Sequence, residues 1–222
     1  MKVFGKILDI LFPKRCVYCG RKLDTEYEMC LCKKCEKIAY TKNIEPRQFE
    51  KKFFEKIVCC MDYSGYARNC FLKYKFYNVR YYKDTYGKMI YQRIFDDPFY
   101  KNADCVVNVP LSEERKKQRG FDQSEEIAKI VANLLDKPLY SDALIKAKNT
   151  APLSKMSFKK RRETVRGLYK FNDKYDFSKK SVILIDDIFT SGATINECAK
   201  VLKMYGVKSV YAATVFNTPW HK

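Results

Sequence analysis

The chain has 222 residues and a mass of 26.2 kDa, and 46% of its residues are hydrophobic and 15% aromatic. That is enough to bury a core, so a disordered tail or short peptide is excluded. Lys and Arg number 44 against 26 Asp and Glu, a formal charge of +18, which points to an anionic partner: nucleic acid or a phosphorylated ligand first, an anionic membrane second.

At the N-terminus, Val3, Phe4, Ile7, Leu8 and Leu11 have helical spacing, but Lys6 and Asp9 interrupt them. This pattern predicts a short packing helix rather than a secretory signal. No stretch reaches the roughly 18 apolar residues that a membrane span needs. The reading is therefore a cytoplasmic protein, in which ten cysteines suggest metal binding before disulfides.

Four of them form Cys16-x2-Cys19 and Cys32-x2-Cys35, separated by twelve residues. Two such knuckles present four thiolates to one ion, which suits structural Zn²⁺ in a site closed to substrate. Cys30 is an alternative to Cys32 at this point. Cys59, Cys60, Cys70, Cys105 and Cys198 lack the spacing, and Cys105 and Cys198 read as small core residues. The zinc module is assigned to residues 1–48 and the remaining domain to 49–222.

Residues 49–104 are rich in rings and cations. Ile57–Tyr63 reads as a strand, Ala67–Phe76 and Tyr86–Phe95 as helices. The run Lys73-Tyr74-Lys75-Phe76-Tyr77 interleaves charge and ring as single-strand binders do. Alternatively, Tyr74, Tyr77 and Tyr81 pack inward on one helix face. Lys73 and Lys75 are the candidate nucleic-acid contacts here.

Cys105–Val109 is a second apolar strand. The basic stretch from Pro110 to Ser124 follows as a loop, with Arg115 the candidate pyrophosphate ligand and Arg119 a candidate nucleic-acid contact. A helix then runs from Asp122 or Ser124 to about Leu135. Lys146–Lys170 holds nine basic residues and one acid, +8 in 25 residues. This segment reads as a flexible loop that closes over pyrophosphate or holds a nucleic-acid backbone, with Lys159, Lys160 and Arg161 as contacts.

Val182–Ile185 is a continuous apolar run, as a parallel strand covered on both faces requires. Asp186 and Asp187 stand at its end, and Thr190-Ser191-Gly192-Ala193-Thr194 opens a helix to about Tyr205, ended by Gly206. Ser209–Phe216 returns as a strand. The backbone amides of such a loop and a helix N-terminus can surround a phosphate, with hydroxyls adding donors. The paired acids would repel that phosphate, so they suit vicinal ribose hydroxyls, with Mg²⁺ moderating the charge. Asp187 is the candidate general base. His221 is the only histidine and stands one residue from the end, which argues against histidine catalysis.

This acid pair and small-residue loop resemble the signature of type I phosphoribosyltransferases, which bind phosphoribosyl pyrophosphate (PRPP). The resemblance implies that Asp186 and Asp187 contact the ribose and that Thr190–Thr194 hold the 5′-phosphate. Leu-Phe-Pro before Cys16, the four-cysteine knuckle, Val-Pro-Leu before the basic stretch, Arg-Gly-Phe-Asp-Gln-Ser and the acid-pair motif together resemble the ComF (ComFC) family. Thr150, Arg161 and Gly167 match that family, which often carries Gln at the position of Leu153 and Asn near Thr164. The resemblance implies an α/β fold: a type I phosphoribosyltransferase-like parallel sheet flanked by helices, with a small N-terminal four-cysteine zinc module. It also implies PRPP or a related phosphate with Mg²⁺, single-stranded DNA during natural transformation, and other DNA-uptake proteins as partners. Active transfer to an amine or base, and PRPP sensing without turnover, are the alternatives.

Overall fold

The computed structural model describes residues 14–24, 28–41, 52–77, 79–147 and 158–219. The helix expected over residues 1–12 and the expected domain boundary at residue 48 lie outside them. Four parallel strands form the sheet, in the order β1 (Lys56–Asp62), β6 (Ser209–Asn217), β5 (Ser181–Phe189), β2 (Cys105–Asn108). Val182, Ile183, Leu184 and Ile185 are all fully buried, because alternate side chains of a central strand enter opposite layers. Ile183 and Ile185 join one core with Val106, Phe71, Tyr86 and Ile127. Val182 and Leu184 join the other with Val107, Cys198 and Leu202. Each such side chain contributes about 2 kcal/mol of burial.

The first layer contains α1 (Lys33–Thr41), α2 (Gly65–Phe76), α3 (Tyr82–Ile94) and α6 (Gln123–Leu135). Short α4 (Pro98–Lys101) leads into β2. The second layer contains α8 (Ala193–Met204), joined by α7 (Phe158–Val165) and an antiparallel pair, β3 (Leu144–Lys146) with β4 (Tyr169–Phe171). Cys16, Val17 and Leu31 of the cysteine module are buried in the same core as Phe71 and Tyr86.

The predicted helices and strands of the sheet domain are present, with ends shifted by a few residues, and three departures matter. The stretch expected as a loop after β2 contains α5 (Glu113–Arg119), whose acids at the N-terminal end and bases at the C-terminal end suit the helix dipole. Part of the expected flexible loop is α7 and β4. Finally, β5 does not stop before the acid pair. Its ladder with β6 continues to Phe189, so Asp186 and Asp187 are strand residues, held by backbone pairing.

Among the described residues, no helix is long and apolar enough to cross a membrane.

Candidate functional site

The cleft arises where β2 ends. Asn108 is the last residue paired with β5, opposite Ile185, and one further bond runs from the Val109 N–H to the Ile185 carbonyl at 2.8 Å. Beyond it, β5 continues with a partner on one side only. The chain leaves β2 through α5 and α6, whereas it leaves β5 through α8. Such a reversal opens a crevice at the carboxyl ends of the strands. Here it has a volume of about 390 Å³ and includes Asp186, Asp187, Thr190 and Thr194, room enough for a small phosphorylated ligand.

Asp186 is only 8% exposed. Its Oδ1 accepts from the Ser124 hydroxyl at 3.1 Å and from the Asp187 N–H at 2.8 Å. Burial, with the Asp187 carboxylate beside it, pushes its pKa up to about 8, which favours the protonated carboxyl. Ser124 is in turn placed by Asp122, which caps α6 by accepting from the Ser124 and Glu125 N–H groups at 3.0 and 3.2 Å. The second oxygen of Asp122 accepts from the Leu111 N–H at 2.7 Å. Burial raises the Asp122 pKa in spite of these backbone donors.

Ser191 and Ala193 are buried, and the Ser191 hydroxyl accepts from the Ala193 N–H at 3.4 Å. Gly192 starts α8 with φ +67°, a left-handed conformation that costs a side-chain-bearing residue free energy. Thr190, Gly192 and Thr194 line, with Asp186 and Ile188, a recess of about 10 Å³ beside the main cleft. That is room for about one water, so a phosphate would lie at its mouth or part the loop.

Four cations line the cleft: Lys75 from α2, Arg115 and Arg119 from α5, and Lys146 from β3. Lys75 pairs with Asp187 at 2.5 Å. Arg119 donates to the Gln123 side chain at 2.5 Å and lies 4.9 Å from the centre of the Phe76 ring, which is 59% exposed. Burial and the nearby Arg115 charge lower the Lys146 pKa. Like charges gathered in a cleft are held at a cost that an incoming anion relieves.

The structure thus brings Asp186, Asp187, Thr190, Thr194 and Arg115 together, with Gly192 on the adjoining recess. Two residues expected as nucleic-acid contacts, Lys75 and Arg119, line this same cleft. Lys73 is exposed on α2 and Lys160 on α7, whereas the side chains of Lys159 and Arg161 lie outside the description, as do Thr150 and Leu153. Of the three tyrosines, Tyr74 is buried while Tyr77 and Tyr81 are 75% and 50% exposed, so the shared inward face holds for Tyr74 alone. Sequence reasoning missed Lys146 and Tyr169, which come from the antiparallel pair β3 and β4 and carried no local signal. It also missed the roles of Asp122 and Ser124, although both stand in the Arg-Gly-Phe-Asp-Gln-Ser stretch.

Away from the cleft, the sulfurs of Cys16, Cys19, Cys32 and Cys35 all lie within 4.8 Å of one another. The Cys19–Cys32 separation is 3.8 Å, close to the edge of about 3.8 Å expected for sulfurs at about 2.3 Å around tetrahedral zinc. Each knuckle closes with a backbone hydrogen bond to the carbonyl of its first cysteine, from the Gly20 N–H to Cys16 and from the Glu36 N–H to Cys32, both at 2.9 Å. Gly20 has φ +77°, and a Cβ there would lie 2.8 Å from the Tyr66 ring. A donor set of four thiols fits Zn²⁺. Cys30 is buried apart from the cluster, and its N–H donates to the Thr85 hydroxyl at 2.8 Å. Cys32, not Cys30, therefore completes the four.

Residues 122–220 match the family described as "Phosphoribosyl transferase domain". That segment holds β5, β6, the acid pair and the loop after it, which are therefore similar to a phosphoribosyltransferase domain. Competence protein F of Haemophilus influenzae is 25% identical over 199 residues, 88% of this chain and 81% of the relative. Competence protein ComFC of Streptococcus pneumoniae is 31% identical over 149 residues, 67% of this chain and 62% of the relative. With the four-cysteine module ahead of the sheet, the chain is similar to these competence proteins along most of its length. Among solved structures, the glutamine PRPP amidotransferase of B. subtilis, complexed with ADP and GMP, is 22% identical, with a TM-score of 0.39, over 60% of this chain and 25% of that one.

Proposed function

We propose that the cleft binds PRPP or a related phosphorylated ribose, and that the protein handles single-stranded DNA during natural transformation. The observation that carries the first half is convergence: the acid pair, Thr190, Thr194 and Arg115 face one cleft at the carboxyl end of the sheet. The ribose hydroxyls would donate to Asp187 and exchange hydrogen bonds with the protonated Asp186. The 5′-phosphate would lie against the Thr190–Thr194 loop and the start of α8, where amides and the helix dipole favour an anion. Arg115 would take the pyrophosphate together with Mg²⁺, which supplies counter-charge there.

The DNA half rests on the competence relatives and on the charge of +18. Lys73 and Lys160 are exposed, and Lys159 and Arg161 belong to the same helix as Lys160. Exposed Tyr77 beside Lys73 offers a ring for a base. Calorimetry tests both halves: PRPP with Mg²⁺, then a single-stranded oligonucleotide, on the wild type and on Asp186→Ala/Asp187→Ala. Loss of PRPP heat with DNA binding retained supports two separate sites. No PRPP heat with the wild type refutes the cleft reading.

A further inference from the structure

The matched phosphoribosyltransferase segment begins at residue 122, yet three of the four cations that line the cleft, Lys75, Arg115 and Arg119, come from outside it. Lys75 stands near the end of α2, and its ammonium lies 2.5 Å from the Asp187 carboxylate. The two side chains are 14% and 16% exposed, so the pair is largely shielded from water and a bare charge left on either partner would be costly.

The placement of that ammonium is built in. Lys75 follows Phe71 by four residues, one helical turn, and the ammonium lies 4.6 Å from the centre of the fully buried Phe71 ring. Its neighbour Tyr74 is also fully buried and donates its hydroxyl to the Gln123 carbonyl at 3.4 Å. This joins α2 to the first turn of α6, whose Ser124 hydroxyl is bonded to Asp186. Thus the helix that carries Lys75 is fastened to the same turn that fastens the acid pair.

We propose that Lys75 is a ligand-positioning residue of the cleft, the resident counter-cation of Asp187, which lets a phosphorylated ribose bind beside the acid pair without a divalent metal. The inference rests on the sugar-phosphate reading of the cleft. Asp187 bound to an ammonium remains a hydroxyl acceptor through its free oxygen sites, while its charge is offset for the phosphate entering alongside. The opposite role, a plug that the ligand must expel, predicts the opposite sign on mutation.

The test is calorimetric binding of ribose 5-phosphate to the zinc-loaded wild type, Lys75→Met and Lys75→Arg, in buffer free of Mg²⁺ and chelator or with Mg²⁺ added. Wild type is expected to bind without Mg²⁺. Removing a charge-assisted partner costs about tenfold or more in affinity, so Lys75→Met should lose at least that without Mg²⁺ and recover most of it with Mg²⁺. Lys75→Arg should stay near wild type. Should Lys75→Met be poorly folded, Lys75→Met/Asp187→Asn removes both charges, and its affinity should be the same with and without Mg²⁺. Equal or tighter binding by Lys75→Met without Mg²⁺ overturns the proposal, as does a Mg²⁺ response in the double variant. A wild type that binds only with Mg²⁺ overturns it too. A wild type that binds ribose 5-phosphate under neither condition overturns the sugar-phosphate reading itself.

Discussion

Replacing Asp186 by Asn should remove a specific pH dependence from the stability of this protein. Asp186 is buried against Ser124, with Asp187 next in the chain, and its pKa is pushed up to about 8, whereas in an unfolded chain an Asp titrates at about 3.9. Between those values the folded protein holds a proton that the unfolded chain releases. Stability therefore falls as pH rises through this window and levels off above about pH 8. The slope is about 1.4 kcal/mol per pH unit, so the wild type should lose about 2–3 kcal/mol between about pH 5 and pH 7 through this residue alone. Asn is the neutral isostere: its Oδ1 can keep both the Ser124 and the Asp187 donors, and its amide stands where the carboxyl proton stood. The neighbouring Asp122, whose pKa burial also raises, is present in both proteins and cancels in the difference. Urea unfolding at a series of pH values, monitored by far-UV circular dichroism, measures the gap. Asp186→Asn should gain on the wild type steadily from pH 5 to 7. Parallel stability curves would show that the carboxyl is already ionised in the folded state, and the burial argument would fail.

Freshly purified protein should carry about one zinc per chain by elemental analysis. Cys32→Ser should lose the metal while Cys30→Ser retains it, since Cys30 lies apart from the cluster. Gly87→Ala should destabilise the protein by about 1–2 kcal/mol in chemical unfolding, overpacking outweighing helix propensity, because a Cβ at Gly87 would lie 2.4 Å from that of Ile130 on the facing helix. An unchanged midpoint would mean that α3 and α6 can slide apart freely. For single-stranded DNA, log affinity should fall linearly with log salt, and Lys73→Ala/Lys160→Ala should flatten that slope by about 0.7 for each phosphate no longer neutralised. A slope unaltered in the double variant would remove these lysines from the DNA surface.

What the amino-acid order determined by itself is whatever depends on near neighbours along the chain. The unbroken run Val182–Ile185 announced a strand covered on both sides, and the two Cys-x2-Cys pairs announced a cluster of four thiols able to hold a metal, because each signal lies within a few residues. The loop Thr190–Thr194 was legible for the same reason. The length of β5 was not: pairing with β6 carries it to Phe189, and pairing is decided by a partner about thirty residues away in the chain. The tertiary structure alone decided which cations face the acids. Lys75 looked like part of a ring-and-charge stripe for nucleic acid, but burial of Phe71 and Tyr74 turns its neighbour toward Asp187. Lys146 and Tyr169 reach the cleft only because β3 and β4 pair across more than twenty residues. The choice between Cys30 and Cys32 was likewise settled by which sulfur the folded backbone brings to the other three. Spacing along a chain specifies local conformation. The company a side chain keeps in a cleft depends on how distant segments pack.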